Sequence, residues 1–359
     1  MIQTYTVQRL LNIYAMNIAR GTIIKAEESG LIPQSQRQHM GSIARRGWRI
    51  SDLPRIGERY GFLAHLDKSL TMVFFTTKGG VLKTTLAYHM ARTAALHNVK
   101  TCVVGLDLQN DVTRILENEN EPSDDQNIDE LLDQSDCNIG IAGLYRSNKN
   151  LKNVIMETDI PTLSYIPEGP ELIRLEKQLH SENKRESWLK KHVIEPLKKE
   201  FELIVVDCPP NWNLLVSNAL VASDILVSPV ECRINQFRNL AVFQDLIEAF
   251  HKDMDLHFKH IYVPTRFCPM KKLNSDIRRW YLKNLPGVIN NAIRESNFTE
   301  EAISLRKSVM EHAPKGIIAD EMREVIKELW LCAREKVAND ASSKRKNLIT
   351  TNQNFELNL

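Results

Sequence analysis

Phe74-Phe75-Thr76-Thr77-Lys78-Gly79-Gly80-Val81-Leu82-Lys83-Thr84-Thr85 is the stretch on which the reading of this chain turns. Met72 to Phe75, just before and into it, is a short apolar run that predicts a buried strand, and Leu86 to Ala95, just after it, predicts a helix. A strand, a glycine-bearing loop with Lys-Thr and then a helix is the arrangement that cradles phosphate. Gly79 and Gly80 let the backbone approach phosphate oxygens and turn amides toward them. The helix N-terminus adds a dipole that favours an anion. In this reading Lys83 reaches the β- and γ-phosphates of a nucleoside triphosphate, and the Thr84 hydroxyl ligates Mg²⁺. Val81, Leu82 and Thr85 complete the binding loop. The usual spacing G-x-x-x-x-G-K-[ST] puts glycines where Thr77 and Leu82 stand. In their place comes a second lysine, Lys78, five residues before Lys83.

Further strand ends carry acids. Thr101 to Leu106 is an apolar run that leads to Asp107 and Gln109, and Leu203 to Val206 leads to Asp207, Cys208, Pro209 and Pro210. Open parallel sheets place ligand groups at the C-terminal ends of their strands. Asp207 has the form of the acid that holds Mg²⁺. The spacing predicts a strand over 72–75, a helix over 84–96, a strand over 101–106, a helix over 127–134, a strand over 163–166 and helices over 170–180 and 185–199. It continues with a strand over 203–206, a helix over 214–221, a strand over 225–228, a helix over 236–251, a strand over 259–263 and a closing helix from Ile317 to Leu331. This alternation predicts an α/β fold, a doubly wound, mostly parallel sheet covered on both faces.

K-G-G-x-x-K-[ST] is the deviant phosphate loop of the ParA/MinD class of ATPases, which this chain resembles. The segment Asp207-Cys208-Pro209-Pro210 with Asn218-Ala219-Leu220-Val221-Ala222-Ser223-Asp224 is similar to that family's segment after the Mg²⁺ acid. The resemblance implies ATP and Mg²⁺ as cofactors, with Thr84 and Asp207 as metal ligands. It implies that Lys78 reaches the nucleotide of a partner subunit in a sandwich homodimer, and that Asp107 sits beside the attacking water. Pro264 and Thr265, after the run His260 to Val263, match the loop beside adenine. Leu82 and Gly105 depart from the commonest family pattern, which carries an acid at position 105, and resemble the large-plasmid branch.

Residues 1–68 read differently. Thr6 to Ile13 and Thr22 to Gly30 predict short helices, followed by a basic stretch through Arg37, Arg45, Arg46 and Arg49. Two helices, a glycine stop and a basic hairpin predict a small helical, winged helix-turn-helix module. The string Ala26-Glu27-Glu28-Ser29-Gly30-Leu31-Ile32-Pro33 resembles the opening of MerR-type regulators. That likeness implies Arg20, Thr22 and Lys25 at the major groove, and Arg37, Arg45, Arg46 and Arg49 on a phosphate-contacting wing. The sequence division is 1–68 for this module, 69–340 for the ATPase and 341–359 for a polar tail.

The formal charge of +2 carries no message about nucleic acid, but its distribution does. Residues 1–68 hold ten Lys/Arg against five Asp/Glu, as do residues 266–316, whereas Glu117 to Asp136 holds no Lys or Arg. Lys271, Lys272, Arg278, Arg279, Arg306 and Lys307 are therefore candidates for a second, non-specific DNA surface. The six cysteines form no C-x-x-C pair, which argues against a zinc or iron–sulfur site and fits a reducing cytoplasm. No secretion signal or membrane span is expected.

The resemblance to the ParA class, with the front module, implies a partition ATPase that closes on ATP, binds operator-like and nucleoid DNA, answers a ParB-type centromere-binding partner and autoregulates its operon. A nucleotide-switched transcriptional repressor with little hydrolysis is the alternative. A MinD-like membrane ATPase needs an apolar helix face that Ser343 to Leu359 lacks.

Overall fold

The Thr6 side chain starts the first helix by accepting the Arg9 amide at 3.4 Å, and α1 runs Val7–Ile13. Helix α2, Arg20–Glu28, ends at Gly30, whose φ of +72° suits a residue without Cβ. Strands β1 (Gln36–Met40) and β2 (Ile43–Gly47) pair as an antiparallel hairpin. Trp48 then returns into the core, with its indole N–H donating to the Pro33 carbonyl at 2.7 Å, and α3 follows at Leu53–Tyr60. The computed structural model describes residues 4–40, 43–117, 140–147 and 150–356. The helix expected over 127–134 lies outside the described residues, as does Cys137.

Strand β3, Leu70–Phe74, opens the sheet and is buried along its whole length. Helix α4 (Lys83–Leu96), β4 (Thr101–Gly105), α5 (Asp111–Leu116) and α6 (Ile141–Ser147) follow. Next come β5 (Met156–Glu157), β6 (Leu163–Ile166) and α7 (Glu171–Leu179). Then come β7 (Leu203–Asp207), α8 (Leu214–Ala222), β8 (Ile225–Glu231), α9 (Ile234–Asp253) and β9 (Lys259–Thr265). The chain closes with α10 (Lys272–Asn284), α11 (Asn297–Ser304), α12 (Val309–His312) and α13 (Ile317–Glu356). The strands lie in the order β5-β6-β4-β7-β3-β8-β9, parallel except for the β5 edge. Their Val/Ile/Leu runs are buried because helices cover both faces. No helix among the described residues is long and apolar enough to cross a membrane.

Several elements differ from the sequence reading. The stretch expected as one helix over 185–199 is broken into a 3₁₀ turn at Arg185–Ser187, a π-helical turn at Lys190–Ile194 and a short α segment at Glu195–Leu197. Pro196 accounts for this, because it lacks an amide hydrogen and its ring crowds the preceding turn. Helices α3, α5, α6, α10, α11 and α12 and the short strand β5 are additional elements, and in α10 Leu273, Ile277, Trp280 and Tyr281 stand at the helical spacing that the reading passed over. Helix α13 runs past Leu331 to Glu356, through residues expected to form a polar tail.

The front segment and the sheet share a core. Tyr14 donates its hydroxyl to the carbonyls of Leu53 (2.7 Å) and Leu96 (2.9 Å), which joins α3 to the end of α4. A Cβ on Gly57 would lie 2.0 Å from the Leu96 oxygen, so α3 and α4 touch backbone to backbone. The Trp330 indole of α13 donates to the Ala64 carbonyl at 2.9 Å. Helix α4 is thereby covered by the sheet on one side and by the front segment on the other. Its polar residues are held accordingly. Arg92, 3% exposed, pairs with Glu311 at 2.7 Å and Asp159 at 3.0 Å, while Tyr5 donates to Glu311 at 3.1 Å.

Candidate nucleotide site

β7 lies between β3 and β4, with Asp207 in register with Phe74 on one side and Gly105 on the other. The loops after these strands bound an open cleft of about 510 Å³ at the C-terminal edge of the sheet. This is the edge at which such sheets bind ligands. Gly80 and Leu82 shape the loop with φ of +72° and +73°. For Gly80 that conformation is free of steric cost, whereas for Leu82 it costs roughly 1–2 kcal/mol. Leu82 is only partly buried and packs against the core, and its carbonyl accepts the Leu86 amide at 2.9 Å to open α4.

Lys83 is 7% exposed and folds back to donate its ammonium to the Lys78 carbonyl at 2.9 Å. Burial holds its pKa down, opposed by the charges of Asp207 and Asp107. The Lys78 side chain is exposed at the rim, next to the exposed Gly79. Thr84 donates its hydroxyl to Asp207 Oδ2 at 2.7 Å. Asp207 Oδ1 is buried without a hydrogen-bond partner. Burial pushes the Asp207 carboxyl up to about 7, against the Thr84 hydrogen bond and the Lys83 charge that pull it down. An orphaned carboxylate oxygen beside a threonine hydroxyl is a donor set for a hard cation such as Mg²⁺. No group of three or more His, Cys, Asp or Glu side chains suited to a metal occurs among the described residues.

Asp107 follows β4 into the cleft, half-buried, and accepts the Gln109 amide at 3.2 Å. Thr85 and Gln109 also line the cleft, and Val81 is buried beneath the loop. Pro264 and Thr265 stand behind the loop, where the Thr265 hydroxyl donates to the Val81 carbonyl at 3.3 Å, and they do not line the cleft. The next residue, Arg266, does line it, with a φ of +48°. The sequence reading missed Arg266. It also missed Glu168, a buried acid that accepts the Asp107 amide at 3.1 Å. The bare Gly105 was the one available signal for Glu168.

The basic candidates divide. Arg20, Thr22 and Lys25 are exposed on α2, and Arg37, Arg45 and Arg49 are exposed beyond it. Arg46 is committed to ion pairs with Glu27 and Glu28. Lys271, Lys272 and Arg279 are exposed at α10, whereas Arg278 donates to the Asn290 carbonyl at 2.6 Å and stacks over Phe267. Arg306 and Lys307 are half-buried against the front segment, away from α10; they border a cleft with Tyr5 and Arg49.

Fold and cleft together define a phosphate-loop nucleotide domain. The family described as "AAA domain" matches residues 69–260, and the chain belongs to it. Within that family it is similar to proteins of the ParA type. It is 26% identical over 182 residues to the chromosome partitioning protein ParA of Myxococcus xanthus, covering 51% of this chain and 59% of that protein. It is 29% identical over 178 residues to the sporulation initiation inhibitor protein Soj of Bacillus subtilis, covering 50% and 64%. The chain thus spans less than two thirds of these relatives' length. Among solved structures, Cyanothece apo McdA superposes with a TM-score of 0.61 at 18% identity, covering 72% of this chain and 98% of that one. A plasmid partition protein from Borrelia burgdorferi gives 0.55 at 20%, covering 74% and 100%. These two likenesses establish the fold.

Proposed function

We propose that the protein is a DNA-partition ATPase that uses ATP and Mg²⁺. The observation that carries this reading is the Lys83–Thr84–Asp207 constellation, with a second lysine, Lys78, exposed at the cleft rim. Solved structures of similar fold include a putative plasmid partition protein bound to AMPPNP and a cobyrinic acid a,c-diamide synthase bound to an ATP analogue and magnesium. Thr84 and Asp207 would hold Mg²⁺, which supplies charge neutralisation at the phosphates. Lys83 leaves the Lys78 carbonyl to bind phosphate oxygens. Lys78 acts across a homodimer, and Asp107 orients water. Little covalent chemistry is asked of the side chains, because positioning and charge dominate phosphoryl transfer.

In this reading the ATP-bound dimer binds nucleoid DNA through the exposed lysines and arginine of α10, a ParB-type partner stimulates hydrolysis, and the protein works in the cytoplasm. The front segment acts as a winged helix-turn-helix that reads an operator-like site. The deciding experiment measures ATP hydrolysis by the full chain with and without DNA, beside Lys83→Ala. Mg²⁺-dependent turnover that the variant lacks supports the reading, and equal turnover in both proteins overturns it. The contact of α3 with α4 favours a second reading, a nucleotide-switched repressor. Operator binding that responds to ATP without any turnover would select it.

A further inference from the structure

A buried carboxylate beyond β6 braces the loop that borders the cleft. Gly105 ends β4, and β6 lies parallel beside it with Ile166 opposite Val104. Two residues past β6, Glu168 turns its side chain over Gly105. A Cβ at position 105 would lie 2.2 Å from Glu168 Oε2 and 2.6 Å from its Cδ. No side chain at 105 is compatible with Glu168 as it stands.

The carboxylate, 6% exposed, is placed to hold a loop. Glu168 Oε2 accepts the Asp107 amide at 3.1 Å. Its Oε1 accepts the amides of Val112 at 2.9 Å and Thr113 at 3.4 Å, in the first turn of α5. The Glu168 amide donates back to the Thr113 hydroxyl at 3.0 Å. One side chain therefore ties both ends of the segment from Asp107 to Thr113, which carries Asp107 and Asp111 along the cleft.

We propose that Glu168 is a positioning residue for the Asp107 loop, and that Gly105 is bare to admit it. The inference rests on the ATPase reading only for its kinetic consequence. The local consequence is independent of nucleotide.

Glu168→Gln keeps the volume and removes one acceptor, because the amide nitrogen faces backbone N–H groups. Hydrogen exchange of the nucleotide-free full chain is the first measurement. Amides of 107–113 should exchange at least tenfold faster in Glu168→Gln, with those of β3 unchanged. In ATPase assays kcat should fall about tenfold and KM by less than threefold, because the phosphate loop is untouched. Gly105→Asp should be impaired, and Gly105→Asp combined with Glu168→Ala should recover activity and slow exchange relative to Glu168→Ala. Unchanged exchange at 107–113 in Glu168→Gln overturns the proposal, as does a double variant no better than Glu168→Ala. A wild-type chain without turnover would refute the ATPase reading and leave the exchange experiment to decide this one.

Discussion

Lys83 and Lys78 share a loop and differ in environment, so their substitutions separate. Lys83 is buried against the loop's own backbone, and Lys78 is exposed at the rim. Lys83→Ala removes a charge-assisted contact worth about 1.5–3 kcal/mol, which should weaken ATP binding by roughly ten- to a hundredfold. Lys78→Ala should leave affinity within about threefold and lose ATP-dependent dimerisation. Titration with labelled ATP and light scattering check both, and equal loss of binding would remove the trans role of Lys78. Leu82 gives a second case. Leu82→Gly relieves left-handed strain of roughly 1–2 kcal/mol and gives up a partly buried side chain worth about the same. Thermal unfolding should place it within about 1 kcal/mol of the parent. The phosphate loop was legible in the sequence because its chemistry is local. Glu168 was not, because its role depends on β6 lying beside β4, and no local pattern encodes that neighbour.

At the scale of elements, the buried strands were legible because two-sided burial writes continuous Val/Ile/Leu runs. The broken helix around Pro196 was misread because its apolar spacing persists through the break. Helix α4 carries the most consequential polar groups. His89 donates from Nδ1 to the Thr85 carbonyl at 2.7 Å and accepts the Val309 amide at Nε2 at 3.0 Å, so it is neutral in the folded state. Burial lowers its pKa from 6.5 to about 4. Between those values the unfolded chain takes up a proton that the folded chain refuses, so stability from this group is complete above pH 6.5 and is lost as pH falls toward 4. On going from pH 7 to pH 5 the parent should lose stability relative to His89→Gln, on the order of tenfold in the folding constant. A pH-independent difference between the two would show that His89 takes up the proton when folded. Glu311 makes a stronger claim, because it pairs with Arg92 and accepts from Tyr5 at zero exposure. Glu311→Ala leaves Arg92 with Asp159 alone and should cost about 3–5 kcal/mol in urea unfolding.

For the whole molecule, the basic residues fall on separate regions, α2 with the hairpin and α10. Paired substitution of Arg37 and Arg45 by Ala should weaken operator binding and spare non-specific binding. Lys271→Ala with Lys272→Ala should do the reverse, each arm losing roughly one to two units of salt slope for two phosphate contacts. Fluorescence anisotropy across a salt series separates them. Loss of both activities in either pair would mean a single surface. Point variants are the right tool, because cutting at residue 69 would uncover the apolar surface that Tyr14, Trp48 and Ile56 now share with α4 and α13. The sequence offered no sign of this shared core, since contacts between distant segments leave no local trace.

The backbone contact of Gly57 with Leu96 bears on how freely the front segment could move between proteins. Not even a methyl group fits between α3 and α4, so a donor front piece grafted onto another sheet would meet a surface shaped for something else. A working chimera would have to carry α4 across with it, and α4 begins at Lys83. The unit of exchange in this chain is therefore the front segment joined to the phosphate loop, so that a change of front segment brings its own nucleotide loop with it.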